Sequence, residues 1–148
     1  MTKRADRKIK IVSMGVEIPE KVLTNADLEK MVDTSDEWIV SRTGIRERRI
    51  ARPDQASSDL GIAAARKALS RAGLTVKDID LIIVATNTPD TQFPSTACWI
   101  QKGLEAPGIP AFDVSAGCTG LLYAMIVAES MILSGTAKRV LLVAAEVL

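Results

Sequence analysis

The sequence contains no histidine, and this absence limits the chemistry that its 148 residues can perform by themselves. A serine or cysteine nucleophile paired with a histidine base is excluded within the chain. Aromatic residues make up only 3% of the sequence, too few for the stacking platforms that bind single-stranded nucleic acid. The net charge of +1 gives no broad basic surface either, so we expect no nucleic-acid partner.

Cysteine is also scarce. Two cysteines, Cys98 and Cys118, make neither a disulfide framework nor a zinc site, and we expect no metal. The basic N-terminal segment lacks the apolar core of about 7–15 residues that a secretory signal requires. With 47% hydrophobic and 25% charged residues, the composition is that of a globular domain. We therefore expect one cytoplasmic domain that neither enters nor binds a membrane.

Apolar runs that favour strands alternate with segments that favour helices. Strands are predicted at residues 8–16, 45–51, 79–86, 111–115 and 138–147, and helices at 26–32, after Thr34, from the Ser57-Ser58-Asp59 cap to Ala72, at 96–104 after Ser95, and from the Cys118 turn to Gly135. This order predicts a layered α/β/α domain with a mixed, mostly parallel five-stranded sheet. A dinucleotide-binding domain shares the order, but the G-x-G-x-x-G expected after the first strand is missing.

Cys118 occupies a position that suits a nucleophile. It follows a short strand and a tight turn, where the first turn of the next helix is expected to begin. The unpaired N–H groups of a helix N-terminus favour a negatively charged thiolate and could hold an oxyanion formed at a carbonyl. The alternative is a structural cysteine that packs as a small apolar residue, and the pattern leaves both interpretations open. The helix itself is apolar nearly all round, so we expect it to be buried.

A second candidate site lies in the segment VDTSDEWIVSRTGIRERRIA. Thr34 and Glu37 have the spacing of a capping box for a short helix. That helix places Trp38 and Arg42 at positions i and i+4, hence on one face. The pair is either a surface contact or a platform for a flat, anionic ligand.

Three longer segments together resemble one family, the β-ketoacyl-acyl-carrier-protein synthase III enzymes that start bacterial fatty-acid synthesis. The segments are GVEIPEKVLTNADLEKMVDTSDEWIVSRTGIRERRIA, VATNTPDTQFPSTACWIQ and PAFDVSAGCTGLLYA. The resemblance implies the thiolase fold, in which two similar α/β halves pack together. It also implies that residues 1–148 form the N-terminal half, which carries the nucleophile, and that the second half is absent from this chain.

The resemblance also implies roles for individual residues. Cys118 matches the nucleophile that takes an acyl group from acyl-coenzyme A, before malonyl-acyl carrier protein loses CO2 and attacks the thioester. Trp38 matches the residue that stacks on the adenine of coenzyme A, with Arg42 and Thr34 as neighbouring contacts. Coenzyme A thioester is thus a substrate, and no permanently bound cofactor is implied.

Two further residues are implied to shape the acyl pocket. Phe93 is similar to a residue that reaches into the acyl pocket of a partner subunit, which implies a homodimer. Leu148 is similar to a residue that lines this pocket, whereas Cys98 matches no catalytic position and is expected in the core.

The resemblance implies that the histidine and asparagine that promote decarboxylation belong to the second half. The chain has no histidine, and Asn25 and Asn87 lie in segments that match other positions of the family. The chain alone is therefore expected to lack the decarboxylation machinery. The alternatives are a related thiolase-fold acyltransferase, of the polyketide-starter or 3-hydroxy-3-methylglutaryl synthase type, or a non-catalytic half-fold that serves binding or dimerisation. A half-fold should expose a large apolar patch where the other half packs.

Overall fold

The computed structural model describes residues 8–148, which divide into two compact units. The smaller unit is Ile18–Gln55, and the larger unit combines residues 8–17 with Ala56–Leu148. The smaller unit contains β1 (Lys21–Thr24), α1 (Asn25–Leu28), α2 (Asp36–Thr43) and β2 (Glu47–Ile50). The larger unit contains α3 (Ser57–Ala72), β3 (Leu81–Ala85), α4 (Thr96–Gly103), β4 (Ala111–Val114), α5 (Gly120–Ser134) and β5 (Val140–Ala144).

The smaller unit is a two-stranded antiparallel ribbon whose connecting helices are tied together by one buried side chain. β1 pairs with β2 so that Lys21 lies opposite Ile50. The Asn25 side-chain amide donates to Asp36 Oδ1 at 2.7 Å and to the Ile45 carbonyl at 2.8 Å, while its oxygen accepts from Arg48 at 2.8 Å. Asn25 thereby satisfies its buried polar atoms and joins α1, α2 and β2.

The larger unit is built around β3, which lies between β4 and β5 and is parallel to both. All five residues of β3 are buried, because helices cover both faces of the sheet. Ile82 and Val84 face a cluster with α3 and α4, whereas Leu81, Ile83 and Ala85 face a cluster with α5. The alternation of side chains along a strand thus places helices on both sides of one three-stranded sheet.

The α/β/α layering expected from the sequence is confirmed, but the single five-stranded sheet is wrong. The five strands of the described residues divide into a two-stranded and a three-stranded sheet. The strand predicted at residues 8–16 is not formed, and β1 was not predicted. In the 8–17 segment, the Met14 carbonyl accepts a hydrogen bond from Arg71 at 2.8 Å, and the Val16 carbonyl accepts one from Lys67 at 3.2 Å. Side chains of α3 therefore hold this segment, and no strand within residues 8–148 pairs with it.

The expectation that α5 is buried is also wrong for this chain. One side of the helix packs on the sheet through Ala124 and Ala128. On its other sides, Leu122 and Ile126 are 61% and 56% exposed, since nothing in the described part of the chain covers them. Among the described residues, 117–134 are long and apolar enough to cross a membrane, a criterion that core helices of soluble proteins also meet.

Shortening a buried side chain of β3 should lower the free energy of unfolding much more than shortening an exposed side chain of α5. Ile82 is fully buried, so Ile82→Ala should lower the free energy of unfolding by about 2–5 kcal/mol, and Ile82→Val by about 0.5–1.5 kcal/mol. Ile126→Ala, on the exposed side of α5, should change it by less than about 0.5 kcal/mol when the chain is measured as a monomer at low protein concentration. Urea denaturation followed by circular dichroism measures all three. Equal losses for Ile82→Ala and Ile126→Ala would contradict the structure.

Candidate active site

Cys118 lies at the edge of the sheet where the three parallel strands end, the edge at which α/β proteins commonly build their sites. The chain leaves β4, turns at Gly117 and enters a short 3-10 turn, Gly117–Thr119, that continues directly into α5. Gly117 has a φ of 59°, a conformation that residues with a Cβ rarely adopt. The Cys118 side chain is exposed there, so the thiol is accessible and not packed as core.

The turn before Cys118 is held by Asn87, which follows β3. The Asn87 side-chain oxygen accepts hydrogen bonds from the Ser115 hydroxyl at 2.9 Å and from the Gly117 N–H at 3.1 Å. Ser115 lies between β4 and the 3-10 turn, and Gly117 is the first residue of that turn. The neighbouring strand β3 thus fixes the approach to the cysteine.

Glu146, which follows β5, holds Asn87 in turn. One carboxylate oxygen accepts from the Asn87 backbone N–H at 2.9 Å and from its side-chain amide at 3.0 Å. The other accepts from the Thr88 hydroxyl at 2.6 Å. Burial alone would raise the pKa of the Glu146 carboxyl, but the hydrogen bonds from Thr88 and Asn87 outweigh it and hold this pKa below its usual value.

A cleft of about 450 Å³ opens beside the cysteine. Its lining residues include Cys118, Leu121, Ala144, Glu146 and Leu148. The structure therefore brings Leu148 and Cys118 to one cleft, although the Leu148 side chain is itself fully exposed. An apolar wall beside a thiol suits an aliphatic acyl group. In the described residues, no group of three histidine, cysteine or acidic side chains could hold a metal ion.

Phe93 lies apart from this cleft, in the loop between β3 and α4. It is not among the residues that line the cleft, and its side chain is 90% exposed. Cys98, expected in the core, is only partly buried in α4, where the Ser95 hydroxyl donates to its sulfur at 3.3 Å. The role given to Phe93 stays a prediction.

Thr34, Trp38 and Arg42 belong to the smaller unit. Trp38 and Arg42 lie on α2 at positions i and i+4, and Trp38 is 57% exposed. The capping box predicted for Thr34 and Glu37 is wrong by one residue: Ser35 begins the helix, and its hydroxyl accepts from the Trp38 N–H at 3.1 Å. Serine and threonine are both good caps, so their adjacency made the start of the helix ambiguous. The binding roles of these three residues stay predictions.

Sequence reasoning missed Asn87 and Glu146 as parts of the site. A signal was nevertheless present, because each polar residue follows a buried strand of a predicted parallel sheet. The carboxyl ends of adjacent parallel strands meet at one edge, so polar residues just beyond them fall close together.

Comparison with known proteins bears on this geometry. The family described as 3-Oxoacyl-[acyl-carrier-protein (ACP)] synthase III matches residues 112–148. The Beta-ketoacyl-[acyl-carrier-protein] synthase III of Caldanaerobacter subterraneus is 54% identical over 138 residues, covering 93% of this chain and 42% of that protein. The Roseiflexus castenholzii protein of the same name is 56% identical over 137 residues, with the same coverage of both chains.

Solved structures agree with the sequence relatives. The 3-oxoacyl-[acyl-carrier-protein] synthase III of Aquifex aeolicus superposes with a TM-score of 0.90 at 54% identity, covering 93% of this chain and 44% of that one. The priming β-ketosynthase of the R1128 polyketide pathway gives a TM-score of 0.88 at 37% identity, covering 93% of this chain and 41% of that one.

The parallel sheet and the superposition with these structures give the chain the thiolase fold. Within that class, the chain belongs to the β-ketoacyl-acyl-carrier-protein synthase III family. It spans 42% of the length of the curated relatives named here.

Proposed function

We propose that the chain is the N-terminal half of an acyltransferase that performs the first condensation of fatty-acid synthesis, and that Cys118 is its nucleophile. The observation that carries the proposal is the exposed Cys118 thiol, on a turn that continues into α5 and beside a cleft with an apolar wall. The names of the relatives supply the reaction class. Residues 1–148 act as one half-domain of the whole enzyme.

The proposed reaction proceeds in two steps. The Cys118 thiolate attacks the carbonyl of an acyl-coenzyme A, most simply acetyl-coenzyme A; the new C–S bond forms and the coenzyme A thiolate leaves. Malonyl-acyl carrier protein then loses CO2, and the electron pair of the broken C–C bond attacks the acyl carbon. The Cys118 thiolate leaves, and a β-ketoacyl-acyl carrier protein is released. Backbone N–H groups near the start of the helix would stabilise the negative charge that develops on the acyl oxygen.

The second step needs groups that this chain does not supply. A histidine and an asparagine from a C-terminal half would promote decarboxylation and steady the carbanion. Two observations support such a half: the chain spans 42% of its relatives, and the outer side of α5 is uncovered. A half-fold that serves only binding or dimerisation would also leave the outer side of α5 uncovered, but it would not load an acyl group.

The remaining residues have proposed places in substrate binding and assembly. Trp38 stacks on the adenine of coenzyme A, while Arg42 and Thr34 contact the same ligand. Leu148 lines the acyl end of the cleft. Phe93, an apolar side chain that is 90% exposed, reaches into the acyl pocket of a second subunit in a cytoplasmic homodimer. Acyl carrier protein is the partner that delivers the malonyl group.

The test of this function is the intact mass of the purified chain before and after incubation with acetyl-coenzyme A. We expect the chain to gain the mass of one acetyl group, and peptide mapping to place it on Cys118. A mass that stays unchanged at saturating acetyl-coenzyme A would contradict loading by this chain and leave the binding fragment as its function. The likeness to a priming ketosynthase makes a polyketide starter enzyme the second candidate, which competition among acyl-coenzyme A substrates would distinguish.

Removing the Trp38 ring should weaken the binding of coenzyme A. We expect Trp38→Ala to cost about 1–3 kcal/mol, the range measured for aromatic side chains that stack on bases. Isothermal titration with coenzyme A gives the affinity. The matched control is Trp99→Phe, because Trp99 is engaged in the larger unit, where its indole N–H donates to Thr91 at 3.0 Å and Lys102 lies 5.3 Å from its ring centre. An unchanged affinity for Trp38→Ala would make Trp38 a surface contact without a ligand.

A further inference from the structure

One chain of hydrogen bonds links residues just beyond the ends of β3, β4 and β5 and reaches the turn that carries Cys118. Its members are Asn87, Ser115 and Glu146. Glu146 accepts from Asn87, and Asn87 accepts from Ser115 and from Gly117, the residue before Cys118. Glu146 and Cys118 also line the same cleft. The contact between Asn87 and Glu146 joins residues that are 59 positions apart in the sequence.

The chemistry of the two side chains determines which way the Asn87 amide points. A carboxamide offers an acceptor at one end and two donors at the other, whereas an ionised carboxylate only accepts. Glu146 therefore selects the NH2 end of Asn87 and leaves the oxygen for the Gly117 N–H. The opposite orientation would set the Asn87 oxygen against the carboxylate and its NH2 group against the Gly117 N–H, losing hydrogen bonds at both ends.

Glu146 is itself fixed in place. The Thr88 hydroxyl donates to its second oxygen, and the Val147 N–H donates to the Thr88 oxygen at 3.0 Å. The lowered pKa of the carboxyl is consistent with an ionised, acceptor-only group at neutral pH. Both carboxylate oxygens are therefore engaged, the first with two donors of Asn87 and the second with the Thr88 hydroxyl.

We propose that Glu146 is a positioning residue for Cys118, which acts through Asn87 by fixing the amide orientation that holds the Gly117 N–H. The inference rests on the proposed function in that it takes Cys118 as the nucleophile. Its geometry does not depend on which acyl group is transferred. Misplacing a nucleophile by about 1 Å can cost two orders of magnitude in rate, so a loosened turn has a measurable effect.

The test compares Glu146→Gln, Glu146→Asp and Asn87→Ala with the unaltered chain, with Glu129→Gln as the matched control. Glu129 is an exposed residue of α5, so this control makes the same chemical change away from the cleft. Two measurements need no substrate: the rate at which iodoacetamide alkylates each cysteine, resolved by peptide mass, and the hydrogen-exchange rate of the Gly117 amide. Cys98 serves as the internal reference for the overall fold.

We expect Glu146→Gln and Asn87→Ala to change the alkylation rate of Cys118, because the thiol is no longer held in one exposed position. We also expect exchange of the Gly117 amide to speed up by about tenfold or more, with Cys98 unaffected. Glu146→Asp keeps the acceptor-only group and should recover part of both effects, and Glu129→Gln should match the unaltered chain. Unchanged Cys118 and Gly117 rates in Glu146→Gln would overturn the proposal, as would parallel changes at Cys98 and Cys118, which would indicate general loosening.

Acetyl loading of the same variants separates this inference from the proposed function. If the unaltered chain loads acetyl groups, Glu146→Gln should lower the loading rate at saturating acetyl-coenzyme A more than it changes the apparent KM, since Glu146 acts on the nucleophile. If the unaltered chain does not load but the alkylation and exchange effects appear, the positioning role stands and the proposed function fails.

Discussion

Replacing Cys118 by serine should abolish acyl transfer while leaving the fold intact. The exchange of sulfur for oxygen changes the side-chain volume little, and the side chain is exposed, so the free energy of unfolding should stay within about 0.5 kcal/mol of the original. A serine hydroxyl is a weak nucleophile unless a base removes its proton, and the chain contains no histidine to do so. Intact mass after incubation with acetyl-coenzyme A should show no gain.

The other cysteine provides the control for this experiment. Cys98→Ser makes the same chemical change in α4, where the thiol is partly buried and accepts a hydrogen bond from Ser95. This variant should load one acetyl group at the original rate. Loading that persists in Cys118→Ser, or that disappears in Cys98→Ser, would remove Cys118 from the proposed mechanism.

The helices of the larger unit were predictable because their limits are encoded by residues next to them. Ser95 begins α4 by accepting a hydrogen bond at the first turn, while Gly73 and Gly135 end α3 and α5 in the left-handed conformation. A capping residue and the backbone group that it contacts lie within one helical turn, so both are close together in the sequence and can be identified from it. The predicted and observed C-terminal ends of these helices therefore agree closely. The cap predicted for α3 at Ser57 is wrong, because the N-cap is Ala56 and the Ser57 hydroxyl donates to the Thr88 carbonyl instead.

Strand pairing was less predictable, because alternation identifies a strand without identifying its neighbour. Residues 8–16 alternate as a strand should, yet they lie along α3 and form no ladder. Lys21–Thr24 carries little apolar alternation but pairs with Glu47–Ile50. Each residue of this strand pairs with a residue more than 20 positions away. The local hydrophobic periodicity of a segment does not predict which distant segment it pairs with.

The part of the site that is contiguous in sequence was predictable, and the part that the sheet brings together was not. Cys118 and its turn are contiguous in sequence, so the strand, the turn and the helix start were all visible. The support from Asn87 and Glu146 depends on two parallel strands coming side by side, which only the folded sheet provides. Family resemblance pointed to the proposed nucleophile and not to the residues that hold it.

The outer side of α5 is apolar although nothing in the described part of the chain covers it. The helix is apolar nearly all round, which is typical of a helix packed on every side, yet this chain covers only the side that carries Ala124 and Ala128. Contiguous apolar patches of this kind are rare on soluble monomers and mark surfaces that contact another molecule. In the isolated chain, a second copy offers the same apolar surface.

The isolated chain should therefore self-associate through α5, and charges placed on that helix should prevent it. Leu122 and Ile126, which lie one helical turn apart and are 61% and 56% exposed, are the positions for a double change to lysine. Lysine is a good helix former, so the helix should persist while association is lost. Sedimentation velocity should show the unaltered chain as oligomers and the Leu122→Lys, Ile126→Lys variant as a monomer.

A second pair of exposed apolar residues makes this result specific to α5. Met31 and Val32, in the smaller unit, are 68% and 57% exposed, so Met31→Lys with Val32→Lys adds the same charge at similar exposure. That control should associate as the unaltered chain does, because it leaves the apolar side chains of α5 unchanged. A monomeric unaltered chain, or association that only the control pair abolishes, would show that α5 does not need a covering partner and would count against the half-fold.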